Sequence, residues 1–497
     1  DAFELLFHMY EERGYREREI PELILTKNLA GMEIDSRAAQ IAELALAMCA
    51  REHDRRFFRR GVRADVTVLS SIPLGEDELP GNKKLAEELS HLGEIGSLLN
   101  PSEDEIDELK AAAASCSNDL FAATAKTKLE SAAAICKKLS RCFTCTVANP
   151  PYMGSSSFNP FMSKWIKKNY PDVKSDLCTC FIERGFNLVE DKGYAAMVTM
   201  QSWMFLGSFE KMRAKVIDNK TIVSMAHLGP RAFDAIGGEV VNVTADVIYN
   251  QHSDAEGAYV RLVDINGSEA KRLKLVEAIQ NPDCGWFYRR DADTFKQVPG
   301  TPIAYWASDG LLSAFSLGHS IGDYSDYTGS QNKTGDNNLY LRLFWEVGAR
   351  SVGRKGSWAT YSKGGDFRRW FGNLHWLVSI KKDAIEFYQS NPTSNLLASK
   401  YWFSEGVCYT MLTSGKPSFR LLPPTGGFDM AGPCICGLGS SENWTLGFLN
   451  CSIAADVLSM LNPTLNMQAR DIKALPMLIS AEYKPVSYTH LRAHETT

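Results

Sequence analysis

The sequence predicts an α/β molecule: a doubly wound sheet in its first half, then a second domain of mixed α and β structure. Three observations carry this expectation. Short apolar runs alternate with helical stretches from the start to about residue 265. Two β-rich runs, 243–249 and 258–263, then follow each other closely and read as an antiparallel pair. After Asn266 the periodicity is lost, and tryptophan, glycine and short apolar runs take over.

In order along the chain, residues 2–12 read as helix and 29–34 as a strand. A helix capped by Ser36 runs to about Glu52, and 66–69 is a short strand. Ala- and Glu-rich helical stretches fill an expected insertion at about 76–140. The apolar run 142–148 reads as a buried strand. A helix over 175–190 stops at Gly193, and 194–200 is a second buried strand. A helix over 208–217 and a strand over 221–226 complete the alternation. The expected domains are 1–268, a linker at 269–320, a second domain at 321–480 and a tail at 481–497. No internal repeat is visible.

A chain of 497 residues is too long for one core. Composition is that of a globular protein, with 44% hydrophobic and 23% charged residues, and no run of about 18 apolar residues predicts a membrane span. Twelve cysteines scattered through apolar segments fit a reducing cytoplasm better than a disulfide framework. The net charge of −5 hides an asymmetry. Residues 75–115 hold 11 acids and 3 bases, a local −8, whereas 320–382 hold 5 acids and 10 bases, a local +5. Phosphate contacts are local, so an acidic chain with one basic region can still bind a polyanion.

The most informative motif is Asn149-Pro150-Pro151-Tyr152, directly after the 142–148 strand. The prolines fix φ and remove backbone donors, leaving a stiff turn that presents carbonyl oxygens. The Asn149 side-chain oxygen and the Pro150 carbonyl can both accept from one –NH₂ group. That draws the nitrogen lone pair out of conjugation and readies it for a methyl group, while Tyr152 offers a flat face to a flipped-out base. The pairs Cys142/Cys145, Cys178/Cys180 and Cys434/Cys436 do not make a tetrahedral metal site. Three-residue spacing in a strand turns the first pair to opposite faces, and the second sits on different sides of a helix. They read as buried thiols, and no metal is expected.

These motifs occur in a telling order: Glu33, the Asn149–Tyr152 turn, Gly193-Tyr194-Ala195-Ala196-Met197-Val198-Thr199, and Ser202-Trp203-Met204-Phe205-Leu206. Ser208-Phe209-Glu210, Ala226-His227-Leu228-Gly229-Pro230-Arg231-Ala232-Phe233 and Ile236-Gly237-Gly238-Glu239-Val240-Val241 follow. The series resembles the gamma class of N6-adenine DNA methyltransferases, and within it the PglX family of BREX phage-defence systems. Further on, Thr334-Gly335-Asp336-Asn337-Asn338, Lys363-Gly364-Gly365-Asp366-Phe367-Arg368-Arg369-Trp370 and Leu461-Asn462-Pro463-Thr464-Leu465-Asn466 resemble the recognition part of that family. The resemblance covers about residues 1–480. It implies a Rossmann-like, S-adenosylmethionine-dependent methyltransferase sheet, truncated before its glycine-rich cofactor loop, and a target-recognition domain at 321–480. By the same comparison the chain is the carboxyl-terminal part of a longer protein. Residues 486–497 resemble translated sequencing adapter, so His490 and His494 are given no functional weight.

The resemblance also implies roles. Glu33, ending the second strand of the family sheet, would accept from the cofactor ribose hydroxyls, with Asn149 beside the cofactor. Ser70, Ser71 and Asp65 compete for the place beside the cofactor adenine. Asn149, Pro150, Pro151 and Tyr152 carry catalysis by alignment and lone-pair activation, with no nucleophilic cysteine. Phe233, Val240 and Val241 fall where the base pocket closes, although core packing explains them better. Between 320 and 382, bases interleave with aromatics, and Lys333, Arg342, Lys363, Arg368 and Arg369 are the candidate contacts to double-stranded DNA. The expected function is N6-adenine methylation of duplex DNA by base flipping, in phage defence and alongside other defence proteins. The alternatives are a catalytically inactive DNA-recognition component and a protein glutamine methyltransferase.

Overall fold

Helix α1 (Ala2–Glu12) turns Phe3 and Phe7 into a small core closed by Ile20, Ile24, Leu25, Ala50 and Phe57. This computed structural model describes residues 1–75, 77–116, 120–233, 241–326, 331–413, 415–462 and 466–477. The expected tail at 481–497 and Val240 lie outside the described residues. The chain forms two compact units: one of residues 1–200, 219–228 and 243–253, the other of 201–218, 229–242 and 254–497.

In the first unit, β1 (Ala30–Glu33) and β2 (Asp65–Val68) run parallel, with Ala30 opposite Asp65 and Glu33 opposite Val68. Helix α2 (Ser36–His53) connects them, as a parallel pair requires. Its cap is Asp35, whose side chain accepts from the Arg37 N–H at 2.8 Å, rather than the expected Ser36, which is the first helical residue. The segment 76–140 forms α3 (Lys83–Ser90), α4 (Glu103–Ser115) and α5 (Leu120–Leu139). Ser102 and Glu105 close a reciprocal capping box at the start of α4. Then come β3 (Phe143–Ala148), α6 (Pro160–Asn169), α7 (Leu177–Leu188) and β4 (Val189–Met200), with β5 (Thr221–Gly229) and β6 (Val243–Tyr249) after them.

These four strands stand in the order β3-β4-β6-β5. β3 is parallel to β4, and β4 is antiparallel to β6 over seven residues, from Tyr194 opposite Tyr249 to Met200 opposite Val243. β6 therefore has partners on both edges within the unit, and the pairing expected between 243–249 and 258–263 does not form. β3 is also not the buried strand expected: among the described residues it pairs only with β4, none of its residues is buried, and Val147 is 80% exposed.

In the second unit, α8 (Glu210–Asn219) is tied down by Arg213, which is fully buried. Its guanidinium donates to the carbonyls of Trp203, Leu206, Gly300 and Thr301. A single boundary near residue 268 therefore does not describe the units, because 201–218 is bonded into the loop at 300. Nor is 269–320 a linker. It holds α9 (Ser268–Gln280) and α10 (Asp309–Leu317), and between them a strand that pairs antiparallel with a preceding one: β7 (Gly257–Arg261) against β8 (Phe287–Arg290). Val298, Ala304, Ala307 and Leu312 from this stretch join a hydrophobic core of the unit.

The rest of this unit holds a four-stranded sheet and a three-stranded one. In the first, β9 (Leu341–Leu343), β10 (Trp358–Ser362), β11 (Trp376–Ser379) and β14 (Gly426–Phe428) stand in the order β9-β11-β10-β14, with α11 (Lys382–Ser390) following β11. In the second, β12 (Gly406–Tyr409) lies between β13 (Phe419–Leu422) and β15 (Cys434–Cys436), antiparallel to both. No single helix among the described residues is long and apolar enough to cross a membrane.

Candidate active site

The carboxyl end of β3 runs straight into Asn149-Pro150-Pro151-Tyr152. Pro150 is buried and anchors the turn, whereas Asn149 and Pro151 are exposed. Tyr152 is half-buried, and its hydroxyl lies 3.2 Å from the Val198 carbonyl on β4 and 3.3 Å from Asn149 Oδ1. Burial, with Cys178 and Asp246 nearby, pushes the Tyr152 phenol up to about 12, so it is a neutral donor at physiological pH. The corner is thus fastened to the neighbouring strand through the Tyr152 hydroxyl. An amide oxygen carries two lone pairs, so Asn149 Oδ1 can hold the tyrosine hydroxyl and still accept from a second donor.

What holds β3 in place lies in the helical segment before it. Arg184 on α7, 1% exposed, donates to Ser97 O at 2.8 Å, Asn100 Oδ1 at 2.6 Å and Leu139 O at 2.5 Å. Leu139 ends α5, four residues ahead of β3. On the other flank, β4 bulges over 190–193, so that Phe143 opposes Val189 but Cys145 opposes Tyr194. Gly193 is needed there, because a Cβ would stand 2.8 Å from the Thr144 carbonyl.

Glu33 closes β1. Its Oε1 accepts from the Ile34 and Asp35 N–H groups at 2.8 and 3.0 Å, and Oε2 takes no donor among the described residues. The carboxylate is pinned, acceptor-only and half-exposed, a donor-seeking group that suits a ribose diol. Of the three residues competing for the next contact, Asp65 stands at the opposite end of the parallel pair. Its oxygens are held by Lys138 at 2.6 Å and Arg141 at 2.8 Å, which lower its pKa against a desolvation that raises it. Ser70 and Ser71 follow β2 on the Glu33 side, both exposed, and Ser71 lines a cavity of about 540 Å³ with Ile72, Pro73, Thr124, Thr127 and Lys128.

Asp246 was not singled out from the sequence. It is 3% exposed on β6, opposite Met197 and bonded to Thr199, and its Oδ1 is buried without a partner among the described residues. The signal was legible: a lone acid in the otherwise apolar alternation of Val243-Thr244-Ala245-Asp246-Val247-Ile248-Tyr249. Burial raises its carboxyl to about 8, with the Thr199 bond acting in the opposite direction. Cys178 is likewise pushed up by burial. Cys178, Cys180, Cys434 and Cys436 are buried, but Cys142 and Cys145 are exposed, because β3 has an open side. Phe233 is partly exposed and Val241 half-buried.

The predicted basic residues come from three segments. Lys363, Arg368 and Arg369 share the loop after β10. Lys333 is exposed on a segment whose backbone pairs with Asn395. Arg342, on β9, is committed to the carbonyls of Asn338 and Leu341 at 2.8 and 2.6 Å.

Residues 27–233 match the Eco57I restriction-modification methylase family. The chain is 32% identical over 96% of its length to the adenine-specific methyltransferase BrxX of Escherichia coli O9:H4 (strain HS), covering 43% of that protein. It is 32% identical, also over 96% of its length, to the adenine-specific methyltransferase PglX of Lacticaseibacillus casei (strain Zhang), covering 42%. The chain thus spans less than half the length of these relatives. Among solved structures it resembles the Type IIL restriction-modification enzyme MmeI in complex with DNA, with a TM-score of 0.53, 11% identity and coverage of 93% of this chain and 58% of that one. It also resembles a nuclease-deletion mutant of the Type ISP enzyme LlaGI in complex with a DNA substrate mimic, with a TM-score of 0.54, 12% identity and coverage of 99% and 42%. At such identities these likenesses speak for the fold alone.

Proposed function

The chain is a relative of the adenine-specific methyltransferases BrxX and PglX, and from that premise we propose that it belongs to an enzyme methylating N6 of adenine in duplex DNA. The observation that carries this reading is the Asn149–Tyr152 turn at the end of β3, whose tyrosine hydroxyl reaches both Asn149 Oδ1 and the Val198 carbonyl on β4. Asn149 Oδ1 and the Pro150 carbonyl take the two hydrogens of an exocyclic amino group, and the lone pair is freed to point away from them. Tyr152 stacks against a base turned out of the duplex.

The donor is S-adenosylmethionine, which supplies an electrophilic methyl group when bound. Glu33 is the residue of this chain for its ribose, with Ser70 or Ser71 beside its adenine. The sheet of the first unit is then a Rossmann-like methyltransferase layout. Residues 321–480 act as the target-recognition part, with Lys333, Lys363, Arg368 and Arg369 on the DNA. The setting is BREX-type phage defence, in which methylation marks the host's own DNA.

The test is nucleoside analysis. Full-length protein containing this chain, incubated with duplex DNA and isotopically labelled S-adenosylmethionine, should place label on N6-methyladenine. Label on protein glutamine, or on no acceptor while DNA is still bound, would replace this reading with one of its alternatives.

A further inference from the structure

The loop joining β10 to β11, residues 363–373, is shaped against its own backbone preferences. Gly364, Gly365, Trp370, Gly372 and Asn373 all have positive φ, at +74°, +114°, +74°, +125° and +57°. For Trp370 and Asn373 this is a disfavoured conformation, which persists only where surrounding bonds impose it. Those bonds are present. Trp370 inserts beside β13, its N–H donating to Phe419 O at 2.9 Å and its carbonyl accepting from Leu421 N at 2.8 Å. Arg420, fully buried, donates to Arg368 O at 3.2 Å and to Thr410 Oγ1 at 3.1 Å, and that hydroxyl in turn donates to Gly365 O at 3.1 Å. Asn373 Nδ2 closes the base of the loop on Asp366 O at 2.9 Å.

This rigid frame holds two large apolar rings in water. Phe367 is 59% and Phe371 58% exposed. A mobile loop would fold such rings back onto the protein; this one is tied so that they stay out. Guanidinium groups accompany them: Arg369 lies over the Phe367 ring at 5.5 Å, and Arg368 crosses Gly372, where an added Cβ would come within 2.4 Å of its Cδ. A second exposed aromatic turn, Phe344-Trp345, is fastened next to the loop by Phe344 N–H to His375 O at 2.9 Å.

We infer that the 363–373 loop is a rigid wedge for duplex DNA, with Phe367 and Phe371 entering between or against base pairs while Arg368 and Arg369 take the flanking phosphates. Apolar wedges beside arginines distort a duplex in this way, exchanging stacking for a closer wrap. The +5 charge of residues 320–382, the stretch that contains the loop, favours a polyanion over an apolar protein partner or a neutral surface. The inference rests on the reading of this unit as DNA-recognising and adds which side chains enter the helix.

The test uses the purified chain and a fluorescein-labelled duplex of mixed sequence, titrated by anisotropy at several salt concentrations. Phe367→Leu with Phe371→Leu keeps apolar bulk but removes the rings. It should weaken binding about ten-fold or more with an unchanged salt slope. Arg368→Gln with Arg369→Gln should weaken binding and flatten the slope by about two. In addition, p-benzoylphenylalanine at position 367 should crosslink to DNA on irradiation. Wild-type affinity in the leucine variant, or binding without a crosslink, overturns the wedge and leaves the DNA-recognition reading intact. No binding of the duplex by the unaltered chain removes the reading itself, and the wedge with it.

Discussion

Asp246 is the residue whose chemistry is most out of place. A carboxyl group 3% exposed, with one oxygen unpartnered among the described residues, is stable only in its neutral form, and burial accordingly raises it to about 8. In the unfolded chain it titrates near 4. Between those values the folded state holds a proton that the unfolded state has lost, so this group makes stability fall as pH rises from about 4 to about 8. Asp246→Asn removes the effect without changing shape. The stability of the variant relative to the unaltered chain should climb across that window, by up to about 1.4 kcal/mol per pH unit, and level off above it. Denaturant unfolding of both proteins at pH 5, 6.5 and 8 measures the difference; a gap that does not change with pH would mean that Asp246 is not held neutral. This residue was legible as an oddity in an apolar strand. Its burial was not, because that depends on β4 and β6 pairing with Met197 opposite it.

At the scale of elements, the corner is only as well placed as β3, and β3 is placed from both sides. Arg184 bonds the 97–100 turn and the end of α5 to α7. Arg184→Met keeps much of the apolar stem but strands three acceptors, and should cost about 2–4 kcal/mol, read as a lowered denaturant midpoint. Gly193→Ala drives a methyl group into the Thr144 carbonyl and must part β3 from β4 at the bulge. We expect a loss of about 1–3 kcal/mol together with faster hydrogen exchange along β3; unchanged exchange there would show that the bulge absorbs the methyl group. Period and breaker residues made several elements of the first unit readable within a residue or two, but β4 begins five residues before the expected 194, β5 runs three past 226, and α6 was not expected. Partner choice was not readable. Val243–Tyr249 and Gly257–Arg261 are close in sequence and equally β-rich, yet β6 takes β4 and β7 takes β8. Nothing local to a strand records which edge another strand has already filled.

For the molecule as a whole, sequence order gave a division near residue 268, but the compact units interleave. Arg213 is the reason: one buried guanidinium gathers carbonyls from 203, 206, 300 and 301, a long-range bond set with no signature in composition. The local geometry of the proposed site depends less on topology. Asn149, Pro150, Pro151 and Tyr152 are contiguous, and a contiguous motif survives any error in topology. Glu33 was legible for the same reason, as the last residue of a short strand. The dispersed basic residues were not: spacing cannot tell that Arg342 is spent on its own backbone whereas Arg368 and Arg369 stand on a braced loop.

The central claim is that the Asn149 oxygen holds the acceptor amine. It is tested most directly by measuring N6-methyladenine in duplex DNA treated with full-length protein carrying Asn149→Ala, alongside its affinity for DNA and for S-adenosylmethionine. Loss of one activating acceptor should lower methyl transfer by about a hundred-fold or more while DNA affinity stays within about two-fold. Undiminished methylation by the Asn149→Ala protein would contradict the account.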